Sequence, residues 1–228
     1  MNRPVEGRAV RSFVMRAGRI TDAQRRALDE LWPRFGLAYG PQVLDLSALY
    51  GREAPCTLEI GFGNGEHLAA RAQAEPNRSF LGVEVHRPGI GHLLLAAAAA
   101  GLNNLRVVDH DAVEVLRDQI APDTLDEIQI LFPDPWPKTR HHKRRLIQPE
   151  FATLAASRLR TGGWLRLATD WAPYALHMQL VLDDCPLLAR QDANAPSDSP
   201  ATRAATRFEQ RGLRLGHEVA DLAYQRRS

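Results

Sequence analysis

The sequence predicts a single α/β domain built on a doubly wound, mostly parallel sheet and carrying an N-terminal extension. Three observations lead there. From Thr57 onward, short β-rich runs alternate with longer helical stretches, the pattern of βαβ units around a parallel sheet. The first of these runs feeds a glycine-rich segment, Gly61-Phe62-Gly63-Asn64-Gly65, that opens a helical stretch. At 228 residues the chain is long enough for one large core and short for two.

The elements follow in order. Residues 1–50 form an extension: a basic arm, then a helix announced by Thr21 and Gln24, a capping box ahead of Leu28, Leu31 and Trp32 at helical spacing. Residues 51–228 form the main domain. Strands are expected over 57–60, 79–85, 105–108, 127–132 and 164–168. Helices are expected after Asn64 and over 88–100, 112–119 and 149–159, with Gly101 ending one and Gly162-Gly163 another as left-handed caps. A further helix follows Pro173, residues 191–202 read as a loop, and 207–226 can supply one or two terminal strands.

Composition narrows the function. Hydrophobic residues make up 44% and charged residues 25%, ordinary globular values that exclude a chain disordered throughout. The net charge is only +2, but basic residues bunch in the N-terminal arm, at 138–145 and at 203–214, where they can attract a polyanion at short range. Cys56 and Cys185 form no CxxC pair, which fits a reducing compartment. The first twenty residues have no apolar signal core, and the most apolar stretch, 93–102, is too short to span a bilayer. A cytoplasmic protein with no membrane segment is expected. Its oligomeric state, monomer or homodimer, is left open.

The chemistry-bearing residues fall at the expected strand ends. Gly61 and Gly63 let the backbone approach a ligand closely at a helix N-terminus. A dinucleotide fingerprint would place its third glycine at position 66, where Glu66 stands; a carboxylate there repels a pyrophosphate. A ligand without phosphates fits better, and S-adenosylmethionine, with a zwitterionic amino-acid end and a positive sulfonium, is one that tolerates Glu59. Glu84, about twenty residues beyond the turn, suits a ribose diol. Asp111 can accept from an adenine amino group or cap a helix. After the fourth strand, Phe132-Pro133-Asp134-Pro135-Trp136-Pro137 offers a stiff backbone, a carboxylate and a ring for base stacking, and leads at once into the cations of 138–145. Asp170 and Trp171 leave the fifth strand at the same edge. His141 and His142 are adjacent, without an HExxH arrangement or partnered cysteines, so no metal is expected.

Together the segments LEIGFGNG, GVEVH, HDAVEVL, FPDPWPKTRHHKRR, ATDW and TRFEQRG, in that order, resemble the bacterial tRNA (guanine-N7)-methyltransferases, the TrmB family. The resemblance runs from about Thr57 to the C-terminus, with Pro137 standing where a histidine is common in relatives. It implies a Rossmann-like, S-adenosylmethionine-dependent methyltransferase that modifies the guanine at position 46 in the variable loop of tRNA. Carried over by position, it implies that Glu59, Glu84 and Asp111 bind S-adenosylmethionine with Asp134 at the active site beside it. Lys138, Asp170 and the segment Thr206, Arg207, Phe208 and Glu209 would contact the RNA. Three other readings stay open on the residues alone: a methyltransferase acting on an exocyclic amine or a protein amide, an RNA-binding scaffold that lost catalysis, and a nucleotide-dependent oxidoreductase.

Overall fold

The computed structural model describes residues 11–13, 18–193 and 218–228. The N-terminal part contains α1 (Asp22–Glu30), α2 (Trp32–Phe35), β1 (Gly36–Leu37) and α3 (Leu46–Tyr50). The capping box at α1 is formed: Gln24 N–H donates to Thr21 Oγ1 at 3.2 Å, and Thr21 N–H donates to Gln24 Oε1 at 2.9 Å. Then come β2 (Cys56–Ile60), α4 (Glu66–Ala74), β3 (Ser79–Glu84), α5 (Arg87–Ala99), β4 (Leu105–Asp109), α6 (Ala112–Gln119) and β5 (Leu125–Leu131). A 3-10 turn (Thr139–Arg144) precedes α7 (Pro149–Arg158), β6 (Leu159–Thr169), α8 (Ala172–Asp183), β7 (Leu188–Gln191) and β8 (Ala220–Arg226).

The eight strands form one sheet in the order β1-β4-β3-β2-β5-β6-β8-β7. Pairings from β1 through β6 are parallel, and β8 runs antiparallel to both β6 and β7. Side chains alternate across it: Phe80, Leu105 and Val107 enter a core under α1, α4 and α5, while Leu81, Val83 and Val108 enter a second core under α6, α7 and α8. The order reverses between β2 and β5, because the chain works outward through β3 and β4 before crossing back. In such a sheet the carboxyl ends flanking the reversal form the ligand crevice.

The structure departs from the sequence expectation at several points. β1 and β7, four residues or fewer, carry too little periodicity to be read. Gly162 and Gly163 do not end a helix: α7 closes at Arg158 and β6 begins at once. Leu159 pairs with Leu125 and Trp164 with Glu127, so the residues between them bulge from the ladder. Gly162 takes φ 77°, and a Cβ on Gly163 would lie 2.8 Å from the Arg160 carbonyl oxygen, so the glycines serve the bulge. Of the expected terminal strands, β8 falls within the described residues.

Candidate active site

The glycine turn leaves β2 in the left-handed region at Gly61, Gly63 and Gly65, with φ of 71°, 58° and 74°. Its neighbours hold it. Gly61 N–H donates to Val83 O at 2.8 Å, and Nδ1 of His92, on α5, lies 2.9 Å from the Asn64 carbonyl oxygen and donates to it. A side chain on Gly65 would place Cβ 2.7 Å from that of Leu93, and one on Gly89 would collide with the Gly63 carbonyl. A Cβ built on Gly61 meets nothing within 4 Å, so open space lies before the turn.

Carboxylates stand at the neighbouring strand ends. Glu59, near the end of β2, is 2% exposed, and its Oε2 accepts from Nδ1 of His67 at 2.9 Å. Glu84, ending β3, is bound by three backbone N–H groups: Gly63 to Oε2 at 2.8 Å, and Val85 and His86 to Oε1 at 2.7 and 3.0 Å. The strand end and the turn are thereby tied through one side chain. Asp111 follows β4 and caps α6, accepting from Val113 N–H at 2.9 Å through Oδ1. Its cap role and a role toward a ligand are compatible, since a carboxylate has about four acceptor positions.

Asp134 lies in the segment joining β5 to the 3-10 turn, exposed to solvent. Two non-glycine residues flank it in the left-handed region, Phe132 at φ 53° and Trp136 at φ 44°. Such conformations cost of order 1–3 kcal/mol each and persist where the surroundings over-determine them, most often at functional sites. Here Phe132 N–H donates to Ala168 O of β6 at 2.8 Å. The Trp136 indole N–H donates to Ser12 O at 3.0 Å, with the Arg144 guanidinium 4.9 Å above its ring and His141 edge-on at 5.8 Å. One face of Trp136 is thus occupied by Arg144, and the indole N–H anchors the segment to Ser12. Trp171, 37% exposed after β6, is the more accessible ring at this edge.

Lys138 is exposed at the start of the 3-10 turn, and Asp170 is half-buried immediately after β6. Leu131 pairs with Ala168, so Asp134 and Asp170 leave adjacent parallel strands side by side. Thr206, Arg207, Phe208 and Glu209, with the basic stretch 203–214, lie outside the described residues. The cations of 138–145 do not act alike. Lys138, Arg140 and Lys143 are exposed, but Arg145 is 4% exposed and donates from Nε to Pro135 O at 3.0 Å. Burial lowers the pKa of His141, with Arg140, Arg144, Lys138 and Lys143 adding to the effect. His67 and His92 were not singled out from sequence; each lies on the first or second turn of a helix packed on the glycine segment, a placement visible only once β2, α4 and α5 are assembled. Among the described residues no group of three or more His, Cys, Asp or Glu could hold a metal ion, and no helix is long and apolar enough to cross a membrane.

A family model described as a putative methyltransferase matches residues 53–222. The tRNA (guanine-N(7)-)-methyltransferase of Paraburkholderia xenovorans is 53% identical over 96% of this chain and 84% of its own length. That of Methylococcus capsulatus is 54% identical over 96% of this chain and 95% of its own. The chain belongs to the tRNA (guanine-N7)-methyltransferase family. Among solved structures, the 16S rRNA methyltransferase KamB matches with a TM-score of 0.59 at 16% identity, covering 82% of this chain and 95% of that one. The antibiotic-resistance methyltransferase Kmr matches with a TM-score of 0.55 at 17% identity, covering 84% and 95%. These two likenesses concern the fold alone.

As a member of this family the enzyme uses S-adenosylmethionine as its methyl donor. The residues present fit that group: an open space before a glycine turn, with carboxylates at the neighbouring strand ends, suits a cationic ligand without phosphates.

Proposed function

We propose that this enzyme transfers a methyl group from S-adenosylmethionine to N7 of the guanine at position 46 in the variable loop of tRNA. The observation that carries the reading is the row of carboxylates, Glu59, Glu84, Asp111, Asp134 and Asp170, at the carboxyl ends of five parallel strands around the reversal point. The guanine specificity comes from the names of the curated relatives. A cytoplasmic setting goes with a tRNA substrate and with two buried free cysteines.

In this reading Glu59 faces the amino-acid end of the donor, Glu84 holds the ribose, and Asp111 accepts from the adenine amino group. Gly61 and Gly63 let the backbone close on the ligand. S-adenosylmethionine supplies an electrophilic methyl group on a sulfonium. Neutral guanine carries no proton on N7, so its lone pair is available without a general base. The lone pair takes the methyl in one in-line displacement as the bond to sulfur breaks, and the purine becomes positively charged. Asp134 stabilises that charge as it develops, or orients the base by accepting from N1–H or the exocyclic amine. Lys138, Asp170 and the segment Thr206, Arg207, Phe208 and Glu209 hold the RNA so that the two reacting atoms are in line, where most of the acceleration arises.

The test is transfer of labelled methyl groups to unmodified tRNA, followed by chemical mapping of the product. Label on a single N7-methylguanine in the variable loop is the expected result. Label on an exocyclic amine, or on a protein amide in place of RNA, would remove the assignment.

A further inference from the structure

Arg145 ends a run of cations, yet it is the buried member of that run. Among the described residues its partners are neutral. Nε donates to Pro135 O at 3.0 Å, the carbonyl next along the chain from Asp134, and Nη2 donates to Nε2 of His142 at 3.1 Å. Its guanidinium lies 4.9 Å over the ring of Tyr174, a fully buried residue of α8. Tyr174 Oη in turn accepts from Ile147 N–H at 3.3 Å, and the Gln148 side-chain amide donates to the carbonyls of His142 and Arg145 at 3.0 and 3.3 Å. A guanidinium taken from water without a carboxylate partner is a poor way to fill space, and an apolar side chain would cost less. What it supplies instead is directional: a planar fork joining the Asp134 segment, the 3-10 turn and α8.

We propose that Arg145 is a positioning residue for methyl transfer, a buried clamp that seats on Tyr174 and fixes the Pro135–Trp136 peptide just beyond Asp134, and that it makes no contact with RNA phosphates. The segment it fixes is flanked by Phe132 and Trp136 in the left-handed region, conformations that relax unless something holds them. The proposal rests on the reading of Asp134 given above. It also separates Arg145 from Lys138, Arg140 and Lys143, which face solvent.

The experiment uses the full-length enzyme and three variants, Arg145→Lys, Arg145→Met and Asp134→Ala. Lysine keeps the charge and loses the fork; methionine removes the buried charge altogether, and is expected to fold even where lysine is not tolerated. Four quantities are measured: kcat and KM with tRNA, affinity for S-adenosylmethionine by calorimetry, affinity for tRNA with its salt dependence, and the melting temperature. For each folded Arg145 variant we expect kcat to fall by about tenfold or more, the loss typical of a misplaced reacting group, with both affinities and the salt slope unchanged. Wild-type kcat in either folded variant overturns the proposal. So does a loss confined to tRNA affinity with a shallower salt slope, which would make Arg145 a phosphate contact after all. If Asp134→Ala itself keeps wild-type turnover, the reading of Asp134 falls first; if Asp134→Ala loses turnover and the Arg145 variants do not, the clamp alone is wrong.

Discussion

At Glu84 three backbone N–H groups converge on one carboxylate and leave an acceptor position on Oε2. The side chain is set before any ligand arrives, so little conformational entropy remains to be lost on binding. The same scale separates cations that look alike in sequence. Replacing Lys138 and Lys143 by alanine should lower the slope of log affinity for tRNA against log salt by roughly one to two, one phosphate contact each. A filter-binding series across salt measures this, and an unchanged slope would mean that the turn faces away from RNA. The positions of Glu59, Glu84 and Asp134 could be read because the first two lie at the ends of recognisable strands and the third follows one. The burial of Arg145 could not be read, because position in a run says nothing about which side chain turns inward onto Tyr174. Nor does the sequence show that Arg144 covers one face of the Trp136 ring and that its indole N–H is bound by Ser12 O.

Among elements, the turn between β2 and α4 depends on the helix behind it. Gly89 on α5 packs so closely on Gly63 that a methyl group would push the turn forward. Gly89→Ala should therefore weaken S-adenosylmethionine binding by about tenfold or more while tRNA affinity stays near normal, since displacement of about 1 Å in a binding backbone is costly. Isothermal calorimetry decides it; normal donor affinity would show that α5 does not set the turn. The alternation of β-rich and helical runs made β2 to β6 and α4 to α8 readable, since each is long enough to show its period. β1, β7 and the bulge at Gly162 and Gly163 were not, because two to four residues show no period and a glycine pair fits a cap and a bulge equally well.

The whole molecule rests on two apolar cores, one on each face of the sheet, and on a buried ionic cluster at Glu127. Glu127 receives Arg71 Nη2 at 3.0 Å, Thr57 Oγ1 at 3.2 Å and Gln129 Nε2 at 2.8 Å. Burial alone would raise its pKa, but Arg71 and Arg78 outweigh it and hold the carboxyl below its usual range. A lowered folded pKa means that its stabilisation is complete above the ordinary carboxylate value, about 4.3, and is lost as pH falls through the folded value. Glu127→Gln should thus cost about 3 kcal/mol at neutral pH, with the difference from wild type shrinking below about pH 4. Urea unfolding at pH 7 and at pH 3 checks this, and an equal gap at both would place the acid response elsewhere. This frame brings the carboxylate-bearing strand ends to one edge, and Asp134 is the member of that row assigned to the chemistry. The most direct measurement is the single-turnover rate of Asp134→Ala with S-adenosylmethionine and unmodified tRNA both bound. Transfer should fall by about a hundredfold or more with both ligands still bound; transfer at the wild-type rate would contradict the account.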